Sequence, residues 1–92
     1  MNIRKHYLFQ GDVQGVGFRY RAQQAADLLG ITGWVRNNWD GSVEMEAQGP
    51  EEALDRQIQC IANGLYVDIR ERQEWQLPVN LSESGFNVRD EW

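Results

Sequence analysis

Three glycines and an arginine are the residues whose types and spacing could support binding of an anion. Gly11, Gly15 and Gly17 lie in a short stretch that ends at Arg19. Glycine accepts backbone angles that let successive N–H groups converge on an anion. An arginine guanidinium matches two phosphate oxygens. Together the glycines and the arginine could bind a phosphate group.

The glycines alone are also typical of a simple turn, so the pattern needs further support. The dinucleotide-binding pattern requires a third glycine where this chain has Tyr20, and the phosphate-loop pattern requires a Gly-Lys-Ser/Thr ending that is absent. Nucleotide binding is therefore not expected. A solvent-exposed arginine at a helix start and an asparagine that bonds its own turn remain the structural alternatives for Arg19 and Asn37.

The glycine stretch lies between a predicted strand and a predicted helix. Residues 5–10 read as a strand, and the segment 11–18 reads as a loop. From residue 18 onward, apolar side chains recur at spacings of three and four residues, as on one face of a helix. These are Phe18, Ala22, Ala25, Ala26 and Leu29, and Gly30 fits the C-terminal stop. The loop amides would therefore meet the positive end of a helix dipole.

Asn37 ends the first strand of a predicted hairpin. Residues 32–37 and 42–47 read as strands, and the Asp40-Gly41 dipeptide between them is a strong turn signal. A second helix begins at Pro50, carries an apolar stripe and ends at Asn63-Gly64. The stripe consists of Leu54, Ile58 and Ile61.

Residues 66–75 form a further predicted strand, and residues 85–89 a possible short terminal one. The order βαββαβ predicts an α+β, ferredoxin-like sandwich, with an antiparallel sheet, both helices on one face and a possible extra C-terminal strand. Residues 1–92 fit a single domain, because a chain of 92 residues has little room for a second core.

The sequence Val13-Gln14-Gly15-Val16-Gly17-Phe18-Arg19, followed by Gly33-Trp34-Val35-Arg36-Asn37 and Asp40-Gly41, resembles the acylphosphatase family. The resemblance covers nearly the whole chain and implies the same ferredoxin-like fold. It implies hydrolysis of acyl phosphates to a carboxylate and inorganic phosphate, with no metal, no cofactor and no covalent intermediate.

The resemblance also implies a role for each site residue. Arg19 would bind the phosphate and Asn37 would position water, so these two are the catalytic candidates. The remaining phosphate-binding positions are loop residues that would contribute backbone amides: Gln14, Gly15, Val16, Gly17 and Phe18.

Composition narrows the partner to a small molecule. Nine basic and fourteen acidic residues give a net charge of -5, which disfavours nucleic acid. No apolar stretch approaches the roughly 20 residues that span a bilayer, and no apolar run typical of a signal peptide stands at the N-terminus. We expect a cytoplasmic, monomeric protein that acts on a small acyl phosphate.

The single cysteine, the single histidine and the tryptophans are expected to have mainly structural roles. Cys60 and His6 are each the only residue of their type, so a zinc site is not expected; Cys60 is predicted to be buried and His6 to serve packing or edge polarity. Trp34 and Trp75 are predicted core residues, whereas Trp39 beside the turn could be exposed and contact the acyl group. The tail, residues 90–92, has no interpretation.

Two further functions stay open at this level. The domain could be a non-catalytic phosphate- or carbamoyl-phosphate-binding module, or an interaction domain, because a ferredoxin-like fold alone does not decide function.

Overall fold

The computed structural model describes residues 1–89, which form one mixed sheet and two helices. Both helices have 12 residues, and neither is long and apolar enough to cross a membrane. The elements are β1 (Ile3–Asp12), α1 (Phe18–Leu29), β2 (Thr32–Asn37), β3 (Val43–Gly49), α2 (Glu51–Ala62), β4 (Asp68–Leu77) and β5 (Phe86–Arg89). The predicted βαββαβ order and the extra terminal strand are confirmed.

The five strands lie in the order β4-β1-β3-β2-β5. β1 pairs antiparallel with β3 and β4, and β2 pairs antiparallel with β3, but β5 pairs parallel with β2. The predicted antiparallel pairing is confirmed for the first four strands, and the extra C-terminal strand, for which no orientation was predicted, makes the sheet mixed. The reason lies in the chain path: after β4, at one edge, the chain crosses to the other edge and enters beside β2 in the same direction.

The core lies between the sheet and the helices, where strand and helix periodicities meet. Fully buried side chains alternate along β1 and β3, and the apolar stripe predicted for α2 is buried as expected. The cluster includes Tyr7, Phe9, Phe18, Val43, Met45, Leu54, Ile58 and Ile61. Close packing at Phe18, whose ring lies 4.9 Å from that of Phe9, anchors the start of α1.

The ends of the strands differ by one or more residues from those predicted. β1 continues through Gly11 to Asp12, with a register shift after Gln10, because both residues still pair with the start of β4. β3 runs from 43 to 49 rather than from 42 to 47, and β4 from 68 to 77 rather than from 66 to 75. Pro50 is the residue before α2, with an extended ψ of 144°.

Two predictions of burial are wrong. Cys60 is exposed, because it precedes Ile61 by one residue and so lies about 100° around α2 from the buried stripe. Trp75 is 47% exposed on the edge strand β4, on the sheet face that the helices do not cover. There its ring stacks on His6 at 4.7 Å. Trp34 is 9% exposed and so is buried as predicted, but it lies on the same helix-free face, where its ring is 5.8 Å from that of His6.

The helix-free sheet face carries a polar network centred on His6. Its two ring nitrogens lie 2.7 Å from carboxylate oxygens of Glu44 and Glu46. Arg4 pairs with Glu46, and Arg36 donates to Glu44 at 3.0 Å. Burial opposes ionisation of Glu44, but hydrogen bonds from Arg36 and His6 outweigh it and leave the pKa of Glu44 below its usual value. The network links β1, β2 and β3, so His6 serves polar packing as predicted.

Gly33 is a position where the fold requires glycine. Its φ is 144°, and an added Cβ would overlap the carbonyl oxygen of Glu46 on β3. We expect Gly33→Ala to reduce the free energy of unfolding by about 3 kcal/mol or more, since the backbone strain and the clash add. The melting temperature should fall by about 12 °C or more, measured by thermal unfolding followed by circular dichroism.

Gly30→Ala is the matched control for that prediction. Gly30 also has a positive φ, of 71°, but no atom lies within 4 Å of an added Cβ. We therefore expect Gly30→Ala to lower the free energy of unfolding by only about 1 kcal/mol, the cost of the left-handed backbone conformation. Equal losses in the two variants would show that the contact with β3 does not constrain Gly33.

Candidate active site

The loop between β1 and α1 has the backbone geometry of an anion-binding nest. Gly15 and Gly17 have φ values of 72° and 85°, while no residue other than glycine has a positive φ within 1–89. Backbone of this kind can turn successive N–H groups toward one concave side. Gly17 is also the residue before α1, and the first N–H groups of a helix have no acceptor within the helix itself.

A pocket at this loop brings together residues from three elements. It is lined by Val13, Gly15, Gly17, Phe18, Arg19, Tyr20 and Asn37. Its volume is about 170 Å³, below the range of about 300 Å³ and more that encloses drug-sized ligands. The pocket therefore suits a group of phosphate size, with the rest of a substrate outside it.

Arg19 is the second residue of α1 and supplies the fixed positive charge of the pocket. Its side chain is half-buried, and its Nη1 donates to the carbonyl oxygen of Arg89 at 3.3 Å. The contact joins the pocket wall to β5.

Asn37 is the last residue of β2 and reaches the pocket from the strand opposite the loop. It pairs with Val43 on β3, so its backbone position is set by the hairpin. Its Oδ1 is buried and accepts no hydrogen bond from the described part of the chain. A buried acceptor without a donor costs about 1–3 kcal/mol, which is tolerated where function uses it. This oxygen can accept a hydrogen bond from a water at the pocket.

Gln14 and Val16 do not line the pocket. The Gln14 side-chain Nε2 donates to the carbonyl oxygens of Asn38 and Ser42, at 2.7 and 2.8 Å. Val16 packs partly buried against the core. Of the predicted loop residues, Gly15, Gly17 and Phe18 thus meet at the pocket, while the side chains of Gln14 and Val16 hold the loop in place.

The hairpin turn after Asn37 is held by side-chain hydrogen bonds. Asn38 Nδ2 donates to Ser42 Oγ at 3.0 Å, and Ser42 donates to Asp40 Oδ1 through its backbone N–H at 3.0 Å and its hydroxyl at 2.7 Å. The hydroxyl and N–H of Ser42 lower the pKa of Asp40. Trp39 at the tip is 82% exposed, which agrees with its predicted exposure.

Two residues that line the pocket were not among the predicted site residues, although Val13 belongs to the predicted loop 11–18. Val13 is fully buried beneath the loop, and Tyr20 is 64% exposed beside Arg19. Helical side chains lean toward the N-terminus, so a residue in the first turn covers the preceding loop. That rule could have identified Tyr20, which the sequence interpretation used only to exclude a dinucleotide pattern.

No group of His, Cys, Asp and Glu side chains within residues 1–89 is arranged to hold a metal ion. Metal independence of the reaction stays a prediction.

Most of the chain is similar in sequence to proteins named Acylphosphatase. The family model described as Acylphosphatase matches residues 5–88. A protein named Acylphosphatase from Geobacillus thermodenitrificans (strain NG80-2) is 42% identical over 86 residues, which cover 92% of each chain. One from Bifidobacterium longum (strain NCC 2705) is 52% identical over 62 residues, covering 67% of this chain and 64% of that relative.

The fold is also similar to that of a solved acylphosphatase. The crystal structure of acylphosphatase from Bacillus subtilis superposes with a TM-score of 0.85 at 33% identity, over 95% of this chain and 98% of that one. Both the sequence match and the structural match extend over nearly the full length of the two chains compared. The chain therefore belongs to the acylphosphatase family, the hydrolases of acyl phosphates.

Proposed function

We propose that the pocket at the start of α1 binds the phosphoryl group of an acyl phosphate and that Asn37 positions the attacking water. One observation carries the proposal: the nest glycines, Arg19 and Asn37 all line the same small pocket, and the buried Oδ1 of Asn37 accepts no hydrogen bond from the described residues. The first two favour a multiply charged oxyanion, and the third offers an acceptor to a water at its edge.

Binding would rest on two kinds of donor. Backbone N–H groups of the loop and of the first turn of α1 would surround the phosphoryl oxygens, and Arg19 would add a two-pronged cation. Phosphoryl transfer depends mainly on positioning and on stabilising charge that is spread over the transferred oxygens. These donors therefore supply most of what the reaction needs.

The reaction breaks the bond between phosphorus and the acyl oxygen. Water, held by Asn37, attacks phosphorus in line with that bond, and the acyl oxygen leaves with the bonding electrons as a carboxylate. The proton lost by water remains on the phosphate product. A carboxylate is a good leaving group, so a strong general acid is not required, and the Asn37 amide orients water without acting as a strong base.

The size of the pocket supports broad specificity for the acyl group. Because a volume of about 170 Å³ accommodates little beyond the phosphoryl group, the acyl part would lie toward solvent, near Tyr20. Small metabolites, carbamoyl phosphate and phosphorylated protein carboxylates share the group that the pocket would bind.

The remaining features of the proposal concern cellular context. The net charge of -5 supports a small-molecule substrate over nucleic acid or an anionic membrane. A monomeric, cytoplasmic, metal-independent enzyme is the proposal that follows. A non-catalytic anion-binding module is not favoured, because the full-length relatives that match are acylphosphatases.

Hydrolysis of benzoyl phosphate by the purified protein, with a chelator present, tests the proposal. We expect saturable turnover that the chelator does not change, and competitive inhibition by inorganic phosphate. The control is the spontaneous hydrolysis of benzoyl phosphate at the same chelator concentration. Binding of phosphate without turnover would support the anion-binding module instead, and turnover that the chelator abolishes would contradict metal independence.

A further inference from the structure

We propose that Gln14 is a positioning residue that sets the phosphate-binding loop at a fixed distance from Asn37. The loop and the β2–β3 hairpin are separate in sequence, and each carries one half of the site. Gln14 lies in the loop, and its side chain reaches the hairpin directly beyond Asn37. This inference rests on the proposed role of Asn37.

Both donors of the Gln14 amide are used by the hairpin. Nε2 donates to Asn38 O at 2.7 Å and to Ser42 O at 2.8 Å, which are short bonds for an uncharged amide. Ser42 O also accepts from the Asn38 N–H at 2.9 Å, so the side chain caps the closing pair of the turn. Both N–H donors of the Gln14 side chain therefore bond to the hairpin, and Gln14 is not among the residues that line the pocket.

The bonds act on the residue that follows Asn37. Asn38 O belongs to the peptide unit that links Asn38 to residue 39, one residue beyond Asn37, and Asn37 pairs with Val43, the neighbour of Ser42. The two hydrogen bonds from Gln14 would therefore fix the position and the orientation of the end of β2 that carries Asn37. On the other side, Gln14 immediately precedes Gly15, the first glycine of the nest.

The expected effect is on rate and not on binding. The loop amides and Arg19 hold the phosphoryl group without Gln14, so affinity for phosphate should change little. A displacement of about 1 Å between phosphorus and the attacking water can cost on the order of 10²-fold in rate. We expect kcat to fall by about 10- to 100-fold, with KM and the inhibition constant of phosphate within about threefold of wild type.

The test is a double-mutant cycle with Gln14→Met and Asn37→Ala, assayed on benzoyl phosphate. Methionine keeps the length and approximate volume of glutamine but removes the donors. If Gln14 acts through Asn37, the double variant should be no slower than Asn37→Ala alone, whereas independent effects should multiply. Multiplying effects, or wild-type kcat in Gln14→Met, would overturn the inference.

Gln14→Glu is the second variant. It keeps the shape but presents carboxylate oxygens to two carbonyl oxygens, so turnover should fall at least as far as in Gln14→Met. Retained turnover in Gln14→Glu would overturn the inference. Thermal unfolding of every variant shows that the assays are made on folded protein.

Gln48→Ala is the matched control. Gln48 also exchanges two hydrogen bonds with a loop, at 3.0 and 2.8 Å to Asn80, but at the other end of β3. Its kcat should equal that of wild type, and a loss as large as that of Gln14→Met would overturn the positioning role. Full turnover in Asn37→Ala would instead contradict the proposed role of Asn37, so the two failures are distinguishable.

Discussion

Replacing Arg19 by alanine should lower kcat/KM for benzoyl phosphate by about 10³-fold or more, because an arginine that stabilises phosphoryl charge is worth about 10³ to 10⁵ in rate. Inhibition by inorganic phosphate should be lost as well, since Arg19 is the charged side chain among the residues that line the pocket. Steady-state kinetics and phosphate titration measure the two effects. Arg19→Lys should recover only a small part of the activity, because an ammonium group lacks the planar fork.

Arg21→Ala is the control for charge and for helix stability. Arg21 lies on the same helix, and its Nη1 donates to the carbonyl oxygen of Cys60, away from the pocket. The two alanine variants change net charge equally, so a general electrostatic effect would lower both activities. Wild-type turnover in Arg19→Ala would contradict the proposed mechanism.

Asn37→Ala should lower kcat by about 10²- to 10³-fold, the loss typical when one preorganised hydrogen-bonding group is removed from a transition state. KM and inhibition by phosphate should stay within about threefold of wild type, because the nest and Arg19 remain. The reason is geometric: Asn37 reaches the pocket from β2, whereas the anion-binding groups come from the loop and α1. Comparison of kcat with the phosphate inhibition constant separates the two contributions.

Asn87→Ala is the matched control for that variant. Asn87 is an exposed asparagine on β5 that pairs with Trp34 on the neighbouring strand, so it tests the removal of a strand asparagine outside the pocket. Its kinetics should equal those of wild type. Equal losses of rate and phosphate affinity in Asn37→Ala would argue against water positioning and for a direct role in binding.

Local patterns were enough to locate both halves of the site. The apolar spacing after Phe18 predicted α1, and the Asp40-Gly41 turn predicted the hairpin that ends at Asn37. These signals depend on residues within a few positions of one another. Prediction failed where burial depends on residues that are far apart in the sequence. Trp75 lies outside the core because β4 is an edge strand, and its ring stacks on His6.

The sequence by itself determined the order of the elements, because periodicity and turn chemistry are local properties. It also named Arg19 and Asn37 as candidates, through the glycine loop and the resemblance to acylphosphatases. Only the tertiary structure decided that Arg19 and Asn37 share one pocket, that β5 runs parallel to β2, and that Gln14 spans from loop to hairpin. Those facts depend on which strands become neighbours. Strand pairing follows from burying one apolar face over the whole chain, and no local pattern contains that information.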